Sequence, residues 1–370
     1  MKKIFFLVVI AFVVIGIIIL LNNLYQKDEV IVEYSLAEIK TNLLSDAEKF
    51  EDLFELEKKI ALDGIPIGNI IKLKILPNGD FGIIDGATKQ LNIFDANGKY
   101  LRTIGAIGNG PGEYVHPTDF LVDDSVNFYI LDLWQMRILR YDFSGNYQSK
   151  IILEKHVEHM CLSGEKLFLY STLSMIDQPN GYCIDVEKNK KEFEFAEPSD
   201  LLKLLIKNDN ITLSLNSNSI ELFNSNIYLI HPYQYAIREF NEDGKLKRTI
   251  FLSSRFFSPY DSTKQFNQSI RPEDYFKSAM NGLKITKNVF ITSFVNIPEN
   301  KVYLDFFSLS GSKLNRNTIE LPPSKFDRNT YFPAWIDSMN SFYCWSLEEA
   351  ESNVTKFNPY IYKYKPLFIK

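Results

Sequence analysis

The sequence predicts an all-β protein: a six-bladed β-propeller with four-stranded antiparallel blades, short helical insertions, and an N-terminal transmembrane or signal helix. Three observations carry that prediction. A motif recurs at a constant offset of 47, which maps Asp85 on Asp132, Leu91 on Ile138, Gly98 on Gly145 and Ile104 on Ile151. The unit returns as Asn226-Ile-Tyr-Leu-Ile230, Ile237-Arg-Glu-Phe240 and Asp243-Gly244. Each copy holds four short runs punctuated by turn residues, and four strands in a period of about 40–50 residues are the pattern of a propeller blade.

A chain of 370 residues could form one large all-β domain or two ordinary ones, and the repeat favours one closed domain. Aromatic residues make up 14% of the chain, mostly Phe and Tyr, which suit pleated, half-buried surfaces. The net charge of −5, without a basic block, argues against nucleic acid as a partner.

Met1-Lys2-Lys3 precede an uncharged apolar run over residues 4–21. As a helix it would span about 27 Å, close to the thickness of a bilayer core. The two lysines place its N-terminus inside. Asn22-Asn23-Leu24-Tyr25 follow, without the small residues of a cleavage site and without a lipid-acceptor Cys. Residues 1–24 are therefore read as a signal anchor in preference to a cleaved signal peptide. Residues 25–52 are read as an exported linker and 53–370 as the propeller. The expected location is the cell envelope, with an inner-membrane anchor and a periplasmic propeller, or an exported protein if the segment is cleaved.

The first blade begins at Ile70, with Asn78-Gly79 as its first hairpin turn and Asn97-Gly98 as its last. Such pairs recur because a tight hairpin needs positive φ, which glycine supplies without steric cost. The second blade is expected over about 118–153. The third, over about 157–195, loses its turn glycine. Ser199 reads as the N-cap of an inserted helix over 199–207. The fourth blade follows over about 220–252. A second insertion near 261–282 has Pro272 at a helix start and Asn281-Gly282 at its end. The fifth and sixth blades cover about 285–319 and 335–365. A ring must hide its sheet edges, so either Val30-Ile-Val-Glu-Tyr34 or the segment 54–62 is expected to pair with the last blade. Cys161 and Cys183 fall in one blade, where they are either bridged or, the reading preferred here, buried thiols together with Cys344.

Gly105-Ala-Ile-Gly108-Asn-Gly110-Pro-Gly112-Glu-Tyr114, followed by Pro117-Thr-Asp119-Phe, is distinctive. With the Phe-Asp-x-x-Gly-Lys before it and the Ile-Leu-Asp after it, this element resembles the NHL-like six-bladed β-propeller family of exported Bacteroidetes proteins, over about residues 53–365. The resemblance implies fold and export. It transfers no catalytic residue, because no activity is common to that family.

Residues 105–112 are glycine-rich but lack the Lys-Ser/Thr and following helix of a phosphate loop. They read as a connector that places Glu113, Tyr114 and His116 near one rim of the central channel. Asp85 and Asp132 end the second strands of their blades. They could ring a Ca²⁺ ion or accept N–H groups of the following turn, and the second reading prevails because Ser171 and His231 replace them in later blades. His156-x-x-His159 leads into a strand and has no third ligand nearby, which speaks against zinc. Trp134 and Arg137 in blade two, and His231 with Tyr233 in blade four, supply rim aromatics and charge. The expected ligand-binding residues are thus Glu113, Tyr114, His116, Asp132, Trp134, Arg137, His231 and Tyr233. No metal site, cofactor or catalytic set is predicted, and no G-x-S-x-G elbow is present. The expectation is a membrane-tethered module that binds carbohydrate, peptide or an envelope protein. The alternative is a metal-dependent hydrolase or lyase, lactonase- or esterase-like, with Ca²⁺ at the channel mouth.

Overall fold

The repeat owes its regularity to one turn chemistry. Asp95 accepts the N–H groups of Asn97 and Lys99 at 2.8 and 3.0 Å, and Asn241 those of Asp243 and Lys245 at 3.1 and 2.9 Å. Asp142 and Ser308 cap the corresponding turns in their own blades. The glycine three residues on lies at φ 89° (Gly98 and Gly145), 74° (Gly244) and 90° (Gly311), a region in which a Cβ is strained. The third blade keeps a capping carboxylate, Asp185, but has no turn glycine; Asn189, four residues on, takes the positive φ, at 50°, which asparagine tolerates.

The computed structural model describes residues 36, 38–172, 178–198, 203, 219–258, 277–323, 332–346 and 358–370. The chain divides into Met1–Tyr34 and Ser35–Lys370, and the described residues belong to the second unit. Among them no helix is long and apolar enough to cross a membrane. The apolar run 4–21, the strand expected at Val30–Tyr34 and nearly all of the helix expected at 199–207 lie outside the described residues.

A short helix, α1 (Thr41–Asp46), and a 3-10 turn (Phe50–Asp52) precede strand β1 (Phe54–Ala61). Blade 1 is β2–β5 (Ile70–Ile75, Phe81–Asp85, Gln90–Phe94, Tyr100–Ile104). A parallel ribbon, β6 (Ala106–Ile107) with β7 (Glu113–Tyr114), leads to blade 2, β8–β11 (Pro117–Val122, Phe128–Asp132, Arg137–Tyr141, Tyr147–Ile152). Blade 3 is β12–β15 (His159–Ser163, Lys166–Tyr170, Gly181–Asp185, Lys190–Phe195). Blade 4 is β16–β19 (Ile220–Phe223, Asn226–His231, Gln234–Asn241, Leu246–Phe251). Blade 5 is β20–β23 (Ser278–Thr286, Val289–Asn296, Lys301–Ser308, Ile319–Glu320). Blade 6 contributes β24–β26 (Trp335–Ile336, Phe342–Ser346, Tyr360–Pro366) and takes β1 as its fourth strand.

The ring therefore closes with β1 antiparallel to β26, from Phe54 opposite Pro366 to Ala61 opposite Tyr360. The seam is apolar. Phe54 is buried among the rings of Phe50, Phe332, Phe342 and Phe368, at centroid distances of 4.8–5.6 Å. The stretch read as linker contributes to it: Leu44, Ala47 and Phe50 enter the same core cluster. Lys40 N–H donates to Phe368 O at 2.7 Å, and Ile39 bridges Ile369.

One expected element is corrected. Asn281-Gly282 ends no helix; it lies inside β20, where the register against β21 slips between Met280 and Gly282. The pair makes a β-bulge, a second local use for residues that also stop helices. The first strands of blades 1 and 2 bulge likewise, between Ile70 and Lys72 and between Pro117 and Asp119. Cys161, Cys183 and Cys344 are buried free thiols. Cys161 and Cys183 both pair across from Phe168, on its two sides, and so stand two strand spacings apart, about 10 Å and beyond disulfide reach.

Candidate functional site: the channel and its mouth

The first strand of each blade is the innermost, and alternate side chains on it face the axis. Register against the second strands puts Lys74, Leu121, Cys161, Glu221, Lys284 and Trp335 at corresponding positions, one per blade. Two residues earlier, Lys72, Asp119 and His159 correspond in blades 1 to 3. The channel is thus lined by ionisable groups, nearly all of them buried.

These groups pair across blade seams. Lys74 Nζ lies 2.9 Å from Asp119 Oδ1, and Lys72 Nζ lies 3.5 Å from the same oxygen. Asp119 also accepts the backbone N–H of Phe120 at 2.8 Å and of Met160 at 3.3 Å, so its carboxylate joins blades 1, 2 and 3. Lys284 pairs with Glu221 across the seam of blades 4 and 5. Lys74 further donates to Phe120 O. Its ammonium lies 6.0 Å from the Trp335 ring centroid, and that of Lys284 lies 5.1 Å from it, within cation–π range.

Burial sets the protonation equilibria. Desolvation, with smaller contributions from the Lys72 and Lys284 charges, lowers the Lys74 pKa to about 8 against the pull of Asp119. Desolvation pushes Asp119 up, but the Lys72 and Lys74 ammoniums outweigh it and hold the carboxyl at about 2. Burial, then the nearby Lys72 charge, pushes the His159 imidazole below its ordinary range.

A cavity of about 530 Å³ opens where these strands end, at the rim carrying the first hairpin turns, between blades 6, 1 and 2. Trp335, Phe120, Tyr343 and Met339 wall it, and Lys74, 8% exposed, is its buried cation. The one acid in its lining is already engaged: Asp337 accepts the N–H groups of Met339 and Ser341 at 2.9 and 2.8 Å and the Tyr343 hydroxyl at 2.9 Å.

The residues expected from sequence to bind ligand lie on the opposite rim, beside the loops between second and third strands. Most hold the fold together. Asp132 accepts Val115 and His116 N–H at 3.1 and 3.0 Å, as Asp85 accepts Gly68 and Asn69 N–H at 3.2 and 2.9 Å. Tyr114 is fully buried; its hydroxyl donates to Ile104 O at 2.6 Å and accepts Leu91 N–H at 3.1 Å, and burial raises its pKa to about 12. Glu113 accepts the Gly110 N–H at 2.7 Å, and Arg137 donates to Glu113 O and approaches Asp132 at 3.5 Å. His116 stacks on Trp134 at 4.6 Å with a 12° interplanar angle, and Trp134 is 70% exposed. His231 contacts Thr172 O at 3.1 Å through Nε2 and accepts the Tyr233 N–H at 3.4 Å. It stands in blade 4, with blade 3 between it and the Trp134 group. The eight residues therefore form two separate groups. Among the described residues, no three His, Cys, Asp or Glu side chains converge as metal ligands.

Lys72, Lys74, Glu221, Lys284 and Trp335 did not stand out in the sequence. A Lys-Leu-Lys alternation reads as a strand with one wet face, and only ring closure turns that face inward.

Fold and channel together define a closed six-bladed β-propeller with a polar axis. The chain belongs to the family described as "Domain of unknown function (DUF4934)", whose model matches residues 63–367. The family carries this description in place of the NHL-like name, and the expected fold stands. No curated protein matches the chain. Among solved structures it is similar to a candidate exported protein from Bacteroides fragilis NCTC 9343, with 14% identity, a TM-score of 0.59, and coverage of 88% of this chain and 98% of that one. A member of the duf4221 family from Bacteroides vulgatus ATCC 8482 is similar at 11% identity and a TM-score of 0.61, covering 85% of this chain and 98% of that one. A streptogramin B lyase is similar at 10% identity and a TM-score of 0.50, covering 86% of this chain and 100% of that one. At such identities the likeness is one of fold.

Proposed function

We propose that this chain is an exported, membrane-tethered propeller that works as a ligand-binding module, with its site in the cavity at the channel mouth. The observation that carries the reading is that cavity itself: about 530 Å³, walled by aromatic side chains, with the buried Lys74 side chain in its lining. Concave, mostly apolar pockets with a few convergent polar groups are the usual form of small-molecule sites. Export is supported by the apolar run after Lys2-Lys3, and a candidate exported protein shares the fold. The opposite rim supports a second surface, for carbohydrate or peptide, through one observation: Trp134 is 70% exposed and backed by the His116 ring.

A small-molecule library screened against the full-length protein by thermal shift tests the main reading. Stabilising compounds are expected to lose their effect in Trp335→Ala and to keep it in Trp134→Ala. Compounds that stabilise both variants equally, or no stabilising compound at all, would refute the channel-mouth site.

A further inference from the structure

The chemistry of the cavity narrows what it can hold. An ammonium has three N–H donors, and Lys74 has two protein acceptors, Phe120 O and Asp119 Oδ1. Its third donor has no protein acceptor among the described residues. A buried charged donor left unmatched is costly, and a ligand acceptor removes that cost. The surroundings limit the acceptor's charge. Asp119 lies against the same ammonium and Asp337 lines the same cavity, so a dianion would meet two carboxylates that a monoanion meets at half the repulsion. The remaining walls are Trp335, Phe120, Tyr343 and Met339, surfaces suited to a flat apolar body.

Resting on the reading of the cavity as a binding site, we propose that its ligand class is the small aromatic monocarboxylate, with the carboxylate on Lys74 and the ring against Trp335. The tryptophan is the natural reporter, since the Lys74 and Lys284 ammoniums lie 6.0 and 5.1 Å from its ring centroid.

The test uses 2-naphthoate and its uncharged counterpart 2-naphthylmethanol, titrated calorimetrically and by tryptophan quenching into the full-length protein. Naphthoate is expected to bind at least about ten-fold more tightly than the alcohol, as a charge-assisted hydrogen bond requires. Lys74→Met is expected to abolish that preference, the two ligands then binding within about two-fold of each other. The two ligands on the unaltered protein carry the test even if the variant does not fold. Equal affinities would overturn the anion class and leave the binding site standing. Binding of neither ligand at millimolar concentration would also overturn the proposal, with the site itself judged by the library screen. A naphthoate preference that persists in Lys74→Met would overturn the role of that residue.

Discussion

Lys74 and Asp119 meet at 2.9 Å across the seam between blades 1 and 2, and both side chains are nearly sealed from solvent. Breaking a buried pair by removing one partner typically costs about 3–5 kcal/mol, because the other charge is left uncompensated. Asp119→Asn removes the carboxylate that both the Lys72 and the Lys74 ammonium face. It is expected to lower stability by about 3 kcal/mol or more in urea unfolding. Adding Lys74→Met to it should recover part of that loss, a coupling that a double-mutant cycle measures. Purely additive effects would show that the pair does not act as a unit.

Tyr114 separates a structural from a ligand-binding role on the opposite rim. Its hydroxyl serves two buried backbone groups, Ile104 O and Leu91 N–H. Tyr114→Phe should therefore cost about 1–3 kcal/mol in denaturant unfolding and leave ligand affinity unchanged. A change in affinity without a change in stability would return this residue to the binding site.

The buried imidazoles make stability depend on pH. Burial lowers His231 from 6.5 to about 4, although the residue keeps a partly exposed edge. Between those values the unfolded chain holds the proton and the folded chain does not, so its contribution is complete above pH 6.5 and drains away as pH falls toward 4. The slope is about 1.4 kcal/mol per pH unit per histidine, and His159 is shifted in the same direction. Asp119, lowered from 3.8 to about 2, adds a second loss over that more acidic window. Thermal unfolding from pH 8 to 4 should show the histidine window, and His231→Gln should flatten it. A melting temperature constant over that range would exclude it.

Closure can be probed at Phe54. Phe54→Ala removes a ring packed among four others and is expected to cost about 3–5 kcal/mol. Trp134→Ala, on an exposed ring, should stay within about 0.5 kcal/mol. Equal losses in the two variants would remove the basis for treating the seam as the stabilising closure.

The blades were legible in the sequence because their turns are chemically explicit. Asp95-Ala-Asn-Gly98 and Asp142-Phe-Ser-Gly145 each announce a capped hairpin within four consecutive residues. The segment 54–62 was legible only as one of two candidate closing strands, Val30–Tyr34 being the other, because a strand-like run ahead of the first repeat has no partner of its own; β1 is the one that pairs with β26. The rim was partly legible: Asp132 is a turn carboxylate, as its repetition at Asp85 suggested. The channel was not. Lys72-Leu73-Lys74 alternates like any half-wet strand, and its partner Asp119 stands 45 residues beyond Lys74, as Lys284 stands 63 residues beyond its partner Glu221. No local pattern brings such residues together; only the curvature of the whole ring does. Asn281-Gly282 shows the converse ambiguity, since the same dipeptide can stop a helix or bulge a strand.

The closing strand also has a consequence in time. Phe54 pairs with Pro366, so blade 6 cannot be completed until Pro366 has been made. A chain synthesised from its N-terminus must carry Phe54–Ala61 unpaired until the five preceding blades and Tyr360–Pro366 have been made. Contacts of such sequence separation form slowly, and exposed strand edges invite association between copies. Closure of the ring is thus a late event in folding, and the interval before it is when the unpaired edge is open to association between copies.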